Sequence, residues 1–178
     1  MEDGNFYRHG GIDANAARLA VIVNLRAQQL RMGGSTVTQQ LAKNLFLSKD
    51  RTLSRKIPEA FLALALERRF TKSEILNQYV HVIDYGMGQK GIDQAAGFYF
   101  HTTPDRLTLA QSAVLVGMVP YNPQTWPTRE RLEQGRETAL GRLAYWFPGK
   151  YSDAEIEAAR QVPLEKLLPD WAGARPPR

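Results

Sequence analysis

The chain has 178 residues, 43% of them hydrophobic, which is enough to bury the core of one compact domain. Its formal net charge of +5 favours anionic partners such as phosphates, acidic lipid surfaces or nucleic acid. The absence of cysteine excludes a disulfide framework and a thiolate metal site, and no apolar run approaches the roughly 20 residues that cross a bilayer.

The first predicted helix begins near the N-terminus and is apolar nearly all round. Asp13 or Asn15 can cap it, since short polar side chains accept hydrogen bonds from the first turn of a helix. Its apolar stripe is formed by Ala16, Leu19, Ala20, Val23, Ala27 and Leu30, and is widened by Val21, Ile22 and Leu25. A helix of this kind packs in the core or lies partly in lipid, and the residues leave both environments open.

A polar and basic stretch that opens with two glycines follows over residues 33–59 (GGSTVTQQLAKNLFLSKDRTLSRKIPE). Ser35 or Thr36 can cap its helix, and Gln39 and Gln40 offer uncharged hydrogen-bonding groups. Five cations then occur with one carboxylate among them, namely Lys43, Lys49, Arg51, Arg55 and Lys56 around Asp50. Cations beside a helix N-terminus suit an anionic ligand, so a phosphate-bearing ligand is predicted, and a solvated basic face is the alternative.

Further helices are predicted along the rest of the chain. Ser54 starts one of them, and Pro58 lies near its interior, where it can bend the helix beside Glu59. Thr71-Lys72-Ser73-Glu74 is a capping-box pattern for the next helix. The glycines at positions 86, 88 and 91 permit a tight turn, and later helix starts are marked by Thr103-Pro104, Thr108, Thr128 and Ser152.

The pattern as a whole is that of a mainly α single domain. Any sheet is expected to be no more than a small hairpin near residues 80–85. The segment after Pro163 contains further prolines and is predicted to be a loosely ordered tail.

Five blocks of sequence occur in a characteristic order. They are EDGNFYRHGG from Glu2, GSTVTQQ from Gly34, RKIPE from Arg55, YVHVIDYGMGQKGI from Tyr79 and LAQSAVLVGMVP from Leu109. These blocks resemble those of the peptidoglycan glycosyltransferases, the transglycosylase domains of bifunctional penicillin-binding proteins and their monofunctional relatives. The resemblance departs from the family at Pro58, where another residue is usual, and at His81, where asparagine is common.

The resemblance implies a lysozyme-like domain with a helical head and a smaller membrane-facing lobe that includes part of residues 20–32. It assigns residues 1–163 to the transglycosylase domain and residues 164–178 to a Pro-rich C-terminal tail. Family members usually carry a membrane anchor and a further segment before the opening Glu-Asp, so the domain is interpreted as N-terminally truncated. Because no Ser-x-x-Lys motif stands at a plausible nucleophile site, a monofunctional enzyme is expected.

Joining sugars from a diphosphate-activated donor needs a base, a cationic cradle for the diphosphate and a groove that aligns the reactants. The resemblance implies that the substrates are lipid II and the growing glycan on undecaprenyl diphosphate, joined with inversion in bacterial cell-wall synthesis. It matches Glu2 to the catalytic general base and Glu59 to a second catalytic glutamate that orients the diphosphate or its metal. The implied substrate-binding residues are Ser35, Thr36, Gln39, Gln40, Lys43, Arg51, Arg55 and Lys56.

The resemblance also implies a setting for the reaction. Magnesium or another divalent cation is expected to assist, although no dedicated metal site is visible in the sequence. The expected partners are the membrane surface and other cell-wall synthesis proteins, without nucleic acid. The expected location is the periplasmic, extracytoplasmic face of the bacterial inner membrane.

Two other functions compete with this interpretation. A lysozyme-like hydrolase would use Glu2 as a general acid, but a neutral glycan substrate does not need the cluster of cations. A catalytically silent basic module could bind lipid, a partner protein or nucleic acid. The basic run contains Phe46 as its one aromatic residue and no nucleic-acid-binding signature, which argues against nucleic acid.

Overall fold

The computed structural model describes residues 2–29, 33–47 and 55–171. Within these ranges the chain forms α-helices and two short 3-10 turns, without a strand. The helices are α1 (Ala14–Ala27), α2 (Val37–Phe46), α3 (Lys56–Arg69), α4 (Lys72–Val82), α5 (Gly91–Phe100), α6 (Leu109–Met118), α7 (Arg129–Trp146), α8 (Asp153–Gln161) and α9 (Leu164–Leu167). The predicted mainly α fold is confirmed.

The helix starts follow the capping signals of the sequence. A side-chain oxygen accepts a backbone N–H of the first turn at Asp13, Thr36, Thr71, Thr108, Thr128 and Ser152. Four of these starts are full capping boxes, in which the residue three positions on returns the hydrogen bond; the pairs are Thr36 with Gln39, Thr71 with Glu74, Thr108 with Gln111 and Ser152 with Glu155. Local chemistry therefore sets where most of these helices begin.

The chain divides into two compact units, and the first is Glu2–Val82. In this unit α2 packs against α3 and α4, and the buried apolar side chains include Leu41, Ala63, Ile75 and Tyr79. Helix α1 is different, because Ala20 is its one buried residue. Its remaining apolar face is exposed, with Leu19 at 49%, Val21 at 58% and Leu25 at 72%. Core packing, one of the two environments predicted for this helix, does not occur for that face.

The second unit begins at Ile83. Positive φ values at Gly86, Gly88 and Gly91 form the predicted tight turn, and an isolated bridge between Asp84 and Lys90 closes it in place of a hairpin. Helices α6 and α7 approach through Gly117 and Gly135, where a Cβ built on Gly117 would lie 2.5 Å from the Gly135 carbonyl carbon. The core of the unit includes Tyr99, Leu115, Leu132, Leu140, Leu164 and Leu168.

The prediction of a loosely ordered segment directly after Pro163 is wrong for the residues that the structure describes. Leu164–Leu167 forms α9, and Leu164, Leu167 and Leu168 are buried. The Trp171 indole N–H donates a hydrogen bond of 3.0 Å to the Pro127 carbonyl. Leucines at a spacing of three and four residues made this stretch amphipathic despite the prolines around it. Residues 172–178 lie outside the described part.

No described helix combines the length and the apolar character that crossing a membrane requires.

Candidate active site

Most of the predicted site residues that the structure describes meet at the N-terminus of α2. The Thr36 hydroxyl accepts a hydrogen bond from the Gln39 N–H (3.1 Å) and donates one to the Gly11 carbonyl (2.6 Å). The Gln39 Oε1 accepts in turn from the Thr36 N–H (3.0 Å). Thr36 and Gln39 are buried, and their polar groups complete the capping box. Two residues predicted to bind substrate therefore fix the start of α2.

The opening segment of the chain is tied to this helix end by Asp3. Its Oδ2 accepts a hydrogen bond from the Val37 N–H (3.0 Å), so a carboxylate lies at the positive end of the α2 dipole. The same oxygen is 2.9 Å from His9 Nε2. Because His9 Nδ1 accepts from the Gly11 N–H at 3.1 Å, Nε2 is the nitrogen that donates to Asp3. This network holds the backbone beside Glu2 in place.

Lys72 fastens the opening segment from another side. Its Nζ donates to the His9 carbonyl (2.6 Å) and to Glu67 Oε1 (2.7 Å), and it lies 4.5 Å from the centroid of the Phe6 ring. Glu67 Oε1 also accepts from the Thr38 hydroxyl. We call these five residues the Lys72 clasp. This clasp was not predicted from the sequence, because the pattern Thr71-Lys72-Ser73-Glu74 indicates only a helix cap.

Glu2 is held by a chain of two hydrogen bonds. Gln40 Nε2 donates to Glu2 Oε2 over 3.1 Å, and the Tyr79 hydroxyl donates to Gln40 Oε1 over 3.3 Å. Glu2 is partly exposed, and no cation contacts its carboxylate among the described residues. One carboxylate oxygen is thus oriented by a neutral donor, and the other faces no described hydrogen-bonding group.

Glu59 is a buried carboxylate, 1% exposed, in the first turn of α3. The Lys56 ammonium lies 2.5 Å from its Oε1, and the Arg55 Nη1 lies 3.9 Å from its Oε2. Lys56 Nζ also donates to the Ser35 hydroxyl at 2.7 Å. Four of the predicted residues, Ser35, Arg55, Lys56 and Glu59, therefore form one cluster beside the start of α2.

Two buried polar atoms in this cluster lack a hydrogen-bond partner among the described residues. They are Glu59 Oε2 and Arg55 Nε. A buried polar atom without a partner is costly in a folded protein and often marks the place of a ligand or ion. The cluster can accept a group that both donates and accepts hydrogen bonds, or an anion together with a cation.

Pro58, which was predicted to be able to bend α3 beside Glu59, removes no hydrogen bond from that helix. Pro58 is the third residue of α3, and the first intrahelical bond of the helix runs from the Glu59 N–H to the Arg55 carbonyl (3.1 Å). An N–H at the third position has no acceptor within a helix, so proline removes nothing there. Glu59 consequently lies in regular helical backbone.

Two other predicted substrate-binding residues, Lys43 and Arg51, are not part of the cluster around Glu59 in the described structure. Lys43 lies in the last turn of α2 and is partly buried. Arg51 lies outside the described residues. His81, which was predicted only as a departure from the family and not as a site residue, is exposed on α4, where its Nδ1 lies 2.8 Å from the Asn77 carbonyl.

One family model and several known proteins match this chain. Residues 1–144 match the family model described as Transglycosylase. Penicillin-binding protein 1A of Aquifex aeolicus is 44% identical over 160 residues, which are 86% of this chain and 22% of that protein. Penicillin-binding protein 1B of Vibrio cholerae is 44% identical over 140 residues, which are 73% of this chain and 18% of that protein.

A relative from Cupriavidus necator, whose name provisionally assigns it as a transglycosylase, is 39% identical over 168 residues, 90% of this chain and 71% of that protein. The chain spans about a fifth of the length of the two penicillin-binding proteins. The resemblance inferred from the five sequence blocks is confirmed, because the family model covers most of the chain. The chain belongs to the transglycosylase family.

Proposed function

We propose that the chain catalyses the glycosyl transfer of peptidoglycan synthesis, in which lipid II is polymerised into β-1,4-linked glycan strands. Its family supports this activity. The observation that carries the proposal is the attachment of two glutamates to the same helix end. Glu2 is bonded to Gln40 in the first turn of α2, and Glu59 is linked through Lys56 to Ser35, next to the cap of that helix.

In the proposed reaction the 4-hydroxyl of the lipid II sugar attacks the anomeric carbon of the growing glycan. Glu2 accepts the hydroxyl proton as the new C–O bond forms, and the bond to the diphosphate breaks with inversion. Undecaprenyl diphosphate leaves with the electron pair of that bond. A general base must present a free oxygen within hydrogen-bond reach of the proton. The oxygen of Glu2 that Gln40 does not bind supports this role.

The leaving diphosphate needs positive charge, and the cluster around Glu59 supplies it. Arg55 and Lys56 are the cations of this cluster, and Glu59 orients them through the two ion pairs. Lys43 and Arg51 are proposed to extend the cradle. Cations held in fixed positions stabilise charge that develops on a leaving group without further reorganisation.

The cluster offers one carboxylate oxygen that could bind a divalent cation such as magnesium. Glu59 Oε2 is a buried carboxylate oxygen without a hydrogen-bond partner among the described residues. No group of three or more acidic or histidine side chains suited to a metal occurs within the described ranges. Magnesium commonly takes one or two carboxylates and completes its shell with phosphate and water. When bound with the diphosphate, it would neutralise part of the charge on the leaving group.

The proposed donor carries a lipid, so the site must operate at a membrane surface. The apolar face of α1 supports such a contact, since Leu19, Val21 and Leu25 are all exposed. A helix with an exposed apolar face gains free energy by burying it at a lipid interface. We place the reaction at the extracytoplasmic face of the bacterial inner membrane, where contact with other cell-wall synthesis proteins is expected.

Polymerisation of labelled lipid II in detergent with magnesium tests the proposal. The parent chain should form polymer, and Glu2→Gln should reduce the rate by about 100-fold or more, because general-base catalysis contributes at least that much. Glu130→Gln, at an exposed position in the first turn of α7, is the matched control and should retain full activity. Cleavage of preformed glycan in place of polymer would support the hydrolase instead. Folded protein that does neither would overturn the proposed activity.

A further inference from the structure

We propose that Tyr79 is a positioning residue for the glycosyl transfer and acts on Glu2 through the Gln40 amide. The inference rests on the proposed function, in which Glu2 is the general base. Tyr79 lies on α4 and is 5% exposed. It does not touch Glu2 in the described contacts, but its hydroxyl and the Gln40 amide form a continuous chain of hydrogen bonds to Oε2 of that carboxylate.

The Tyr79 hydroxyl holds the end of the Gln40 amide that does not face Glu2. A glutamine amide has an accepting oxygen at one end and a donating nitrogen at the other. Because a carboxylate only accepts, Gln40 Nε2 points toward Glu2 and donates to it at 3.1 Å, which leaves Oε1 to accept from the Tyr79 O–H at 3.3 Å. Without that hydroxyl Oε1 loses this donor, and the amide is held at the Glu2 end alone. The amide can then swing away from the position in which it orients the carboxylate.

Glu2 depends on this amide because the rest of its surroundings holds the backbone and not the carboxylate. Asp3 and His9 fix the adjacent segment to α2, but the Gln40 amide is the one hydrogen-bonding group that contacts the Glu2 carboxylate among the described residues. A glutamate side chain has several rotatable bonds, and loss of orientation at a reacting group lowers the rate of the chemical step. Tyr79 therefore contributes to the geometry of the base without contacting the reactants.

Tyr79→Phe separates this role from core packing, since the ring remains and only the hydroxyl is lost. We expect kcat for lipid II polymerisation to fall by about tenfold with KM unchanged, as for an interaction that matters only in the chemical step. Gln40→Leu should lower kcat at least as much. The double variant should be no slower than Gln40→Leu, because both changes interrupt the same chain of hydrogen bonds. Additive losses would overturn the inference.

Tyr99→Phe is the matched control. Tyr99 is fully buried in the second unit, and its hydroxyl donates to the Tyr85 carbonyl at 3.2 Å. This variant loses a buried hydroxyl and one hydrogen bond, as Tyr79→Phe does, without touching Gln40 or Glu2. It should keep the kcat of the parent. An equal fall in kcat for Tyr99→Phe would assign the effect of Tyr79 to general loss of packing and overturn the inference.

An NMR measurement decides the inference independently of activity. The Gln40 side-chain amide resonance is identified as the signal that Gln40→Leu removes. Both Tyr79→Phe and Glu2→Gln should shift this resonance, and Tyr99→Phe should leave it in place. If the parent made no polymer, the proposed function would fail while the resonance still tested the chain of hydrogen bonds. A resonance unmoved by Tyr79→Phe, or a parent-like kcat in that variant, would overturn the positioning role.

Discussion

The two compact units of this chain bury different kinds of side chain. Of the described polar or charged residues that are buried, Asp13, Thr36, Thr38, Gln39 and Glu59 lie in the first unit and Arg136 lies in the second. The core of the second unit consists mainly of leucine and aromatic side chains, and α6 and α7 contact each other there through two glycines. Buried polar groups need specific partners, whereas apolar cores need volume and shape. The first unit is thus built around oriented polar groups, and the second around packing.

This difference predicts that the second unit is most sensitive to added volume. A Cβ on Gly117 would lie 2.5 Å from the Gly135 carbonyl carbon, and the two helices cannot yield as a flexible side chain does. We expect Gly117→Ala to lower the free energy of unfolding by about 3 kcal/mol, at the upper end for overpacking of a core. Urea unfolding followed by helical circular dichroism measures the change.

Gly97→Ala provides the control for that experiment. Gly97 lies within α5, and a Cβ there would meet no atom within 4 Å. Alanine is the better helix former, so this variant should be stabilised by about 0.5 kcal/mol. If Gly97→Ala and Gly117→Ala changed the free energy of unfolding equally, the close contact between α6 and α7 would not restrict the side chain at position 117.

The first unit should instead respond to loss of a single charge. Lys72→Met keeps the length of the side chain but leaves the His9 carbonyl without its donor and the Glu67 carboxylate without its cation. Glu67 is nearly buried, with 9% of its side chain exposed, so we expect a loss of about 2 kcal/mol in the free energy of unfolding. Polymer formation should fall as well, because the clasp holds the segment that carries Glu2.

Lys150→Met is the matched control for the clasp. Lys150 is exposed in the second unit, and its side chain forms no hydrogen bond or ion pair with the described residues. It should change neither unfolding nor activity. If Lys72→Met lowered stability but left polymerisation at the parent rate, the clasp would support the fold of the first unit without serving Glu2.

The sequence predicts features that depend on neighbouring residues and misses those that join distant ones. Helix starts at Asp13 and Thr108 could be predicted, because a cap acts within three residues. The Lys72 clasp could not, since the lysine reaches the His9 carbonyl 63 positions earlier in the chain. No local pattern distinguishes such a lysine from a solvated one.

In the candidate site, too, the residues could be predicted from the sequence but the contacts between them could not. The basic stretch predicted the cations and the resemblance to a family predicted the roles of the glutamates, and the structure gathers Ser35, Arg55, Lys56 and Glu59 into one cluster. Their binding and catalytic roles stay predictions. The use of Gln39 in a capping box and the hydrogen bond from Tyr79 to Gln40 were not predicted, because the orientation of an amide depends on tertiary contacts.

The smallest expected effect concerns Asp13, the buried cap of α1 in the first unit. The Ala16 N–H, followed by the Asn5 side chain, holds the pKa of Asp13 below its ordinary value of 3.8. A carboxylate with a lowered pKa in the folded state stabilises the protein above the pKa of the unfolded chain, and this contribution is lost as the pH falls through the folded value. Asp13→Ala should therefore cost about 1 kcal/mol at pH 7, and the cost should shrink below about pH 4. Thermal unfolding at a series of pH values measures the difference from the parent.

Asp13→Asn, which keeps a cap without the charge, should differ from Asp13→Ala by an amount that does not change with pH. A cost of Asp13→Ala that stayed constant to pH 3 would mean that the charge of Asp13 contributes nothing to the cap, and that the polar core of the first unit relies there on hydrogen-bond geometry alone.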